Sequence, residues 1–180
     1  MNNSFHRVLH GAAGVSGLLT LLFALLPRSG LCLSLAITCG TTFYHFAMRL
    51  LVGLAGRYLF PAGGEKARWF REKPWEKALY RKLHVKKWKD RMPTYLPDAF
   101  DLRRHSLPEI IRTTCISELT HEIIILLSFL PLLMIPAFGA APVFIISSCL
   151  AAMLDGVFVI MQRYNRPRLV RVARKGGAAV

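Results

Sequence analysis

The sequence predicts an all-α polytopic membrane protein, with four transmembrane helices arranged as two hairpins and joined by a cytoplasmic, amphipathic helical loop. Three observations carry this expectation. Of the 180 residues 53% are hydrophobic, yet Lys and Arg total 24 against 10 Asp and Glu. Apolar and charged residues fall into separate blocks, as in a chain whose solvent changes along its length. Four of the apolar blocks approach the roughly 20 residues that a helix needs to cross about 30 Å of hydrocarbon. The net charge of +14 implies an anionic partner, and apolar blocks beside that charge favour a membrane surface over nucleic acid.

The first block runs from Leu9 to Leu26 behind a short basic N-terminus. It is longer than a typical signal-peptide core and a second span follows at once, so it reads as a retained helix. Pro27-Arg28-Ser29-Gly30 separates it from the second block, Leu31 to Ala55, giving a first hairpin over residues 1–56. The third and fourth blocks, Ile116 to Ile135 and Ala140 to Met161, are broken between Pro136 and Pro142 and form a second hairpin over 116–161. Helices satisfy their own backbone hydrogen bonds, which lipid cannot do for them.

Orientation follows the cations. Residues 57–112 hold 15 of the 24 Lys and Arg against seven acids, the tail over 162–180 holds six and no acid, and the two turns hold only Arg28. An even number of spans puts the loop (57–115), the tail and the N-terminus on one side, and excess Lys and Arg mark that side as cytoplasmic in a cell membrane. In the loop Trp69, Leu79, Leu83 and Trp88 at helical spacing predict a basic interfacial helix that Pro74 starts or kinks. The turn-rich stretch from Pro93 to Pro108 is expected to fold back as a lid or re-entrant loop.

The four cysteines, Cys32, Cys39, Cys115 and Cys149, have neither CxxC nor His/Cys metal spacing and read as inert thiols. No nucleophile elbow, phosphate-binding loop or dinucleotide fingerprint is present, which removes the common soluble enzyme classes. What stands out is ionisable side chains in or beside the apolar blocks, where they are costly. His45 and Arg49 share a face of the second block, and Arg49 is read as snorkelling to the cytoplasmic edge beside Arg57. Asp155 lies in the fourth block. Glu118, His121 and Glu122 share one side of the third. His121 suits a general base for a hydroxyl proton, with Glu118 orienting it. The alternative, that both sit at the interface and pair with Arg103, Arg104 or Arg112, stays open. A lone Glu118-x-x-His121 lacks the partners of a di-metal bundle, and no metal site is expected.

The ordered segments Val85-Lys86-Lys87-Trp88-Lys89-Asp90, Arg104-His105, Glu118-Leu119-Thr120-His121 and Gln162-Arg163-Tyr164-Asn165-Arg166-Pro167-Arg168-Leu169 resemble the glycosyl-4,4'-diaponeurosporenoate acyltransferase family of bacterial membrane proteins, in the staphyloxanthin-type carotenoid pathway. The resemblance covers about Arg68 to Arg171. It implies transfer of a fatty acyl group to a sugar hydroxyl of a glycosylated lipid at the bacterial cell membrane. The donor would be an acyl-CoA or acyl carrier protein used as a cosubstrate, with no bound cofactor, and the acceptor a carotenoid glycoside or related glycolipid. On that reading Glu118 and His121 are the catalytic pair. Gln162, Arg163, Tyr164, Asn165, Arg166 and Arg168 are candidates for binding the donor or an oxyanion, with Trp88, Arg104 and His105 at the same pocket. Glu122 and Asp155 depart from the aromatic and Asn usual in the family. The competing expectations are a lipid-binding or scaffold protein that docks through its basic loop and, third, a small transporter.

Overall fold

The computed structural model describes residues 4–26, 29–92 and 97–177. The expected break at Pro27-Arg28 and the turn at Pro93 lie outside them. The described residues form helices and turns with no strand. Helices α1 (Ser4–Leu25) and α2 (Gly30–Leu59) come first. The loop contains the short helices α3 (Glu76–Lys82) and α4 (Val85–Trp88). Then follow α5 (Leu107–Leu127), the short α6 (Ile135–Phe138) and α7 (Ala141–Lys175). Four stretches, Arg7–Leu25, Gly30–Gly56, Leu107–Phe138 and Ala141–Lys175, are long and apolar enough to cross a membrane.

At their charged ends α5 and α7 outrun their apolar blocks. At its other end α5 stops at Leu127, and the rest of its block continues as a 3₁₀ turn, Leu130–Met134, and α6. α5 starts nine residues before Ile116 because Ser106-Leu107-Pro108-Glu109 is a capping box: the Glu109 carboxylate accepts the Ser106 amide at 2.8 Å, and Pro108 tolerates the first turn. α7 continues through Gln162 to Lys175, with Pro167 inside it, since Arg and Lys are good helix formers, and it ends at Gly176-Gly177. Gly177, with φ of 75°, turns the chain out. The expected single interfacial helix over Trp69 to Trp88 is instead broken. Trp69 lies in a 3₁₀ turn, Arg68–Phe70, Pro74 precedes α3, and His84 takes left-handed backbone angles (φ 51°, ψ 38°) between α3 and α4.

The chain divides into two compact units. Unit 1 comprises Met1–Ala55 and Glu122–Gly156. Its polarity is inverted relative to a soluble core: Leu18, Leu21, Leu25, Leu126 and Leu150 are exposed, while Ser16, Thr41, His45, Ser128, Ser148 and Asp155 are buried. Lipid offers no hydrophobic drive to bury leucine, so small and polar residues line helix contacts instead. A Cβ on Gly17 would meet the Phe43 ring at 3.0 Å, and one on Gly40 the Thr20 side chain at 3.3 Å. Thr20, Thr38, Thr41 and Thr42 return their hydroxyls to carbonyls four residues back at 2.7–2.9 Å. Arg49 does not snorkel. Its guanidinium pairs with the buried Asp155 and donates to the Ala151 carbonyl at 3.1 Å and its own helix's His45 carbonyl at 2.9 Å. A partner within reach removes the reason to extend to the interface.

Unit 2 comprises Gly56–His121 and Val157–Val180. It holds the short helices of the loop, the first part of α5 and the charged end of α7. A Cβ on Gly56 would run into the Thr120 hydroxyl, so glycine is what lets α2 pass α5 there. Arg112 on α5 donates to the Phe60 and Pro61 carbonyls at 3.1 and 3.3 Å and lies 3.5 Å from the Glu65 carboxylate, capping the end of α2.

Candidate active site

Within unit 2 the charged end of α7 is folded onto α5 and the loop by a buried ionic lattice. Glu118 is fully buried and Glu76 nearly so, at 0% and 1% exposure. The two oxygens of Glu118 accept from different arginines, Arg163 Nη1 at 2.5 Å and Arg166 Nη2. Arg163 also reaches Glu76 through Nε at 2.9 Å and Nη2 at 2.8 Å, and donates to the Trp69 carbonyl at 3.2 Å. Arg166 donates through Nε to the Thr114 hydroxyl at 3.0 Å, through Nη2 to the Thr114 carbonyl at 3.1 Å and through Nη1 to the Phe70 carbonyl at 3.2 Å. Two carboxylates thus balance two guanidiniums, and nearly every donor is used. A buried charge is tolerable only when it is paired and hydrogen-bonded in this way.

The sequence supplies the geometry through helical spacing. Arg163 and Arg166 are three apart on α7 and project to one side. Thr114 and Glu118 are four apart on α5 and receive them. Glu76 comes from the first turn of α3, and Tyr80, four residues on, donates to its Oε2 at 2.9 Å. Burial, and then the bond to the Glu76 carboxylate, raise the Tyr80 phenol above its ordinary value of 10. Tyr80 meets the Tyr164 ring edge-on at 5.3 Å.

His121 follows Glu118 by one turn. Its half-buried ring stacks on Phe158 of α7, with centroids 4.8 Å apart and planes within 11°. Stacking covers one ring face and fixes the ring plane, while the nitrogens stay at the ring edge. A hydroxyl brought to that edge can pass it a proton.

Among the sequence-predicted residues, Glu118, Arg163 and Arg166 form the lattice. Gln162 holds Ser117 at 3.2 Å beside it. Tyr164 meets the lattice through Tyr80, and the Arg168 guanidinium lies 3.7 Å from the Tyr164 ring centre. Asn165 is half-buried on α7. Trp88 donates to the Leu83 carbonyl at 2.9 Å, closing α3 onto α4. Arg104 and His105 pair within an exposed turn, Arg104 with Asp98 at 3.3 Å and Asp101 at 4.0 Å, His105 with Glu109 at 3.7 Å. The interface pairing of Glu118 with Arg103, Arg104 or Arg112 is replaced by pairing with Arg163 and Arg166.

Glu76, Tyr80, Thr114 and Phe158 are not among the site residues that the sequence predicts. Glu76 carried a legible signal, an acid four residues before a tyrosine inside a strongly basic loop. Phe158 carried none beyond membership of an apolar run. No cluster of three or more metal-ligating side chains occurs among the described residues.

Comparison with curated proteins and with solved structures returns no significant match. The family model described as CrtO, glycosyl-4,4'-diaponeurosporenoate acyltransferase, matches residues 66–175, which take in most of the loop, α5, the lattice and all of α7. The chain belongs to the glycosyl-4,4'-diaponeurosporenoate acyltransferase family, the acyltransferases of carotenoid glycoside biosynthesis.

Proposed function

We propose that the chain is a membrane-bound O-acyltransferase that esterifies a sugar hydroxyl of a glycosylated lipid, a carotenoid glycoside being the first acceptor to test. The observation that carries this reading is the position of His121. An imidazole whose plane is fixed by Phe158 follows one turn after a carboxylate held by two arginines. Imidazole takes up and returns protons near neutral pH, which ester formation from an alcohol requires.

In this mechanism the acceptor hydroxyl oxygen attacks the carbonyl carbon of an acyl thioester while His121 removes the hydroxyl proton. The tetrahedral intermediate collapses, the carbon–sulfur bond breaks, and the leaving thiolate receives that proton from the imidazolium. The products are an ester and a free thiol. Glu118 is a positioning residue here. It anchors Arg163 and Arg166, so that α7 keeps Phe158 against the imidazole. Excess Lys and Arg in the loop and tail support a topology with both termini on the cytoplasmic side of a bacterial cell membrane, where soluble acyl donors are made.

The test uses membranes containing the full chain, a glycosylated carotenoid and a radiolabelled acyl thioester. Labelled ester should form with the wild-type protein and fall by a factor of about 100 or more with His121→Ala at equal expression. Undiminished product from His121→Ala would rule out the assigned base.

A further inference from the structure

The arginines of the QRYNRPR segment first attract attention as anion binders, yet Arg163 and Arg166 are largely spent on Glu76, Glu118, Thr114 and backbone carbonyls. Uncommitted cations occur on the opposite side of the same segment. Unit 2 contains an open groove of about 750 Å³ between the α3–α4 segment and the end of α7. Five exposed cations line it, Arg81, Lys86, Lys87, Arg168 and Arg171. None of the five has an acidic partner within 4.0 Å among the described residues. Arg168 donates to the Tyr164 carbonyl at 3.3 Å and lies over the Tyr164 ring, and Arg171 donates to the Pro167 carbonyl at 3.1 Å, both within their own helix. The one carboxylate in the lining, Glu72, lies 3.9 Å from a sixth cation, Lys77.

The arrangement is more than a solvated basic face. Tyr80, Tyr164 and Pro167 give the groove apolar, partly aromatic walls, and a concave site of a few hundred Å3 or more suits a small molecule better than a flat bilayer surface. The left-handed turn at His84 brings α4, with Lys86 and Lys87, back toward the cations of α3. The groove also adjoins the lattice directly, because the Tyr80 hydroxyl binds Glu76 and the Tyr80 ring contacts Tyr164.

We infer that this groove binds a phosphate-rich nucleotide thioester, a coenzyme A derivative, through its phosphates. Several cations around a concavity match the diphosphate and ribose phosphate of coenzyme A, and arginine suits bidentate phosphate contacts. The flexible pantetheine arm then carries the acyl carbonyl away from the phosphates toward the lattice. The assignment rests on the acyl-transfer reading and names its donor. Anionic lipid headgroups present the same chemistry, so the experiment separates the two sources.

The full chain in nanodiscs of neutral lipid is titrated with coenzyme A, with 3'-dephospho-coenzyme A and with inorganic phosphate, binding being followed by calorimetry. Coenzyme A should bind, and the dephosphorylated form and inorganic phosphate more weakly. The exposed-site double variants Lys86→Ala/Lys87→Ala and Arg81→Ala/Arg171→Ala should each bind coenzyme A at least about tenfold more weakly, with unchanged melting temperature. No coenzyme A binding, or binding that neither double variant weakens, overturns the proposal. So does a result in which the variants lose only their association with vesicles containing anionic lipid. Ester formation with acyl carrier protein but no binding of coenzyme A would refute the groove and leave the acyltransferase reading standing. Binding of coenzyme A without ester formation would do the reverse.

Discussion

At the scale of single residues, two groups on α5 have separable roles. His121→Gln keeps the size and some hydrogen bonding of imidazole but cannot cycle a proton near neutral pH. Its kcat should fall by roughly 100-fold or more with KM and melting temperature little changed. Glu118→Gln should act differently, because it leaves Arg163 and Arg166 with one amide in place of a buried carboxylate. Loss of one partner from a buried pair typically costs about 3–5 kcal/mol, so a lower melting temperature in a thermal unfolding scan should accompany the loss of activity. Tyr80 gives the same lattice a pH signature. Its phenol is raised in the fold, so its contribution to stability is complete below the ordinary value of 10 and is lost as pH rises through the higher folded value. Wild type should therefore lose stability above about pH 10 more steeply than Tyr80→Phe, as followed by thermal melts across pH. The sequence made Glu118, His121, Arg163 and Arg166 legible because charge is rare beside apolar runs. It could not say that the arginines would spend themselves on Glu118, since their partners depend on how α7 lies against α5 and the loop.

At the scale of elements, local chemistry decided what hydropathy blurred. Apolar blocks mark where lipid begins and ends, not where a helix does. That is why α5 starts at the Ser106–Glu109 capping box and α7 runs on to Gly176. The broken loop follows from the same kind of signal, with Pro74 ahead of α3 and left-handed His84 behind it. Arg49 and Asp155 were both visible as intramembrane charges, but their pairing across α2 and α7 was not, because nothing in one sequence relates two positions 106 residues apart. Asp155→Ala leaves the partly buried Arg49 without its counter-ion and should lower stability by about 3 kcal/mol, whereas Arg49→Met/Asp155→Leu together should recover much of it. Thermal melts of the four members of that cycle in one detergent check this. Gly56 offers a second contact to probe. Gly56→Val should destabilise by about 1–3 kcal/mol through collision with Thr120, and Thr120→Ala should restore part of the loss.

At the scale of the whole chain, the sequence already held the main result. Segregated apolar and basic blocks gave four helices fit to span a membrane, and the ordered motifs pointed to the family that matches residues 66–175. The catalytic reading concentrates in unit 2, whose lattice ties the loop, α5 and α7 together by charge, while unit 1 presents leucine outward and polar side chains inward. The measurement that bears most directly on this account is mass spectrometry of lipid extracts from a bacterial host that makes a glycosylated carotenoid, with and without the chain. The account predicts a new species heavier than the glycoside by one fatty acyl group, lost on alkaline hydrolysis and absent with His121→Ala. An unchanged lipid profile with wild-type protein present in the membrane, or the same acylated species with His121→Ala, would contradict it.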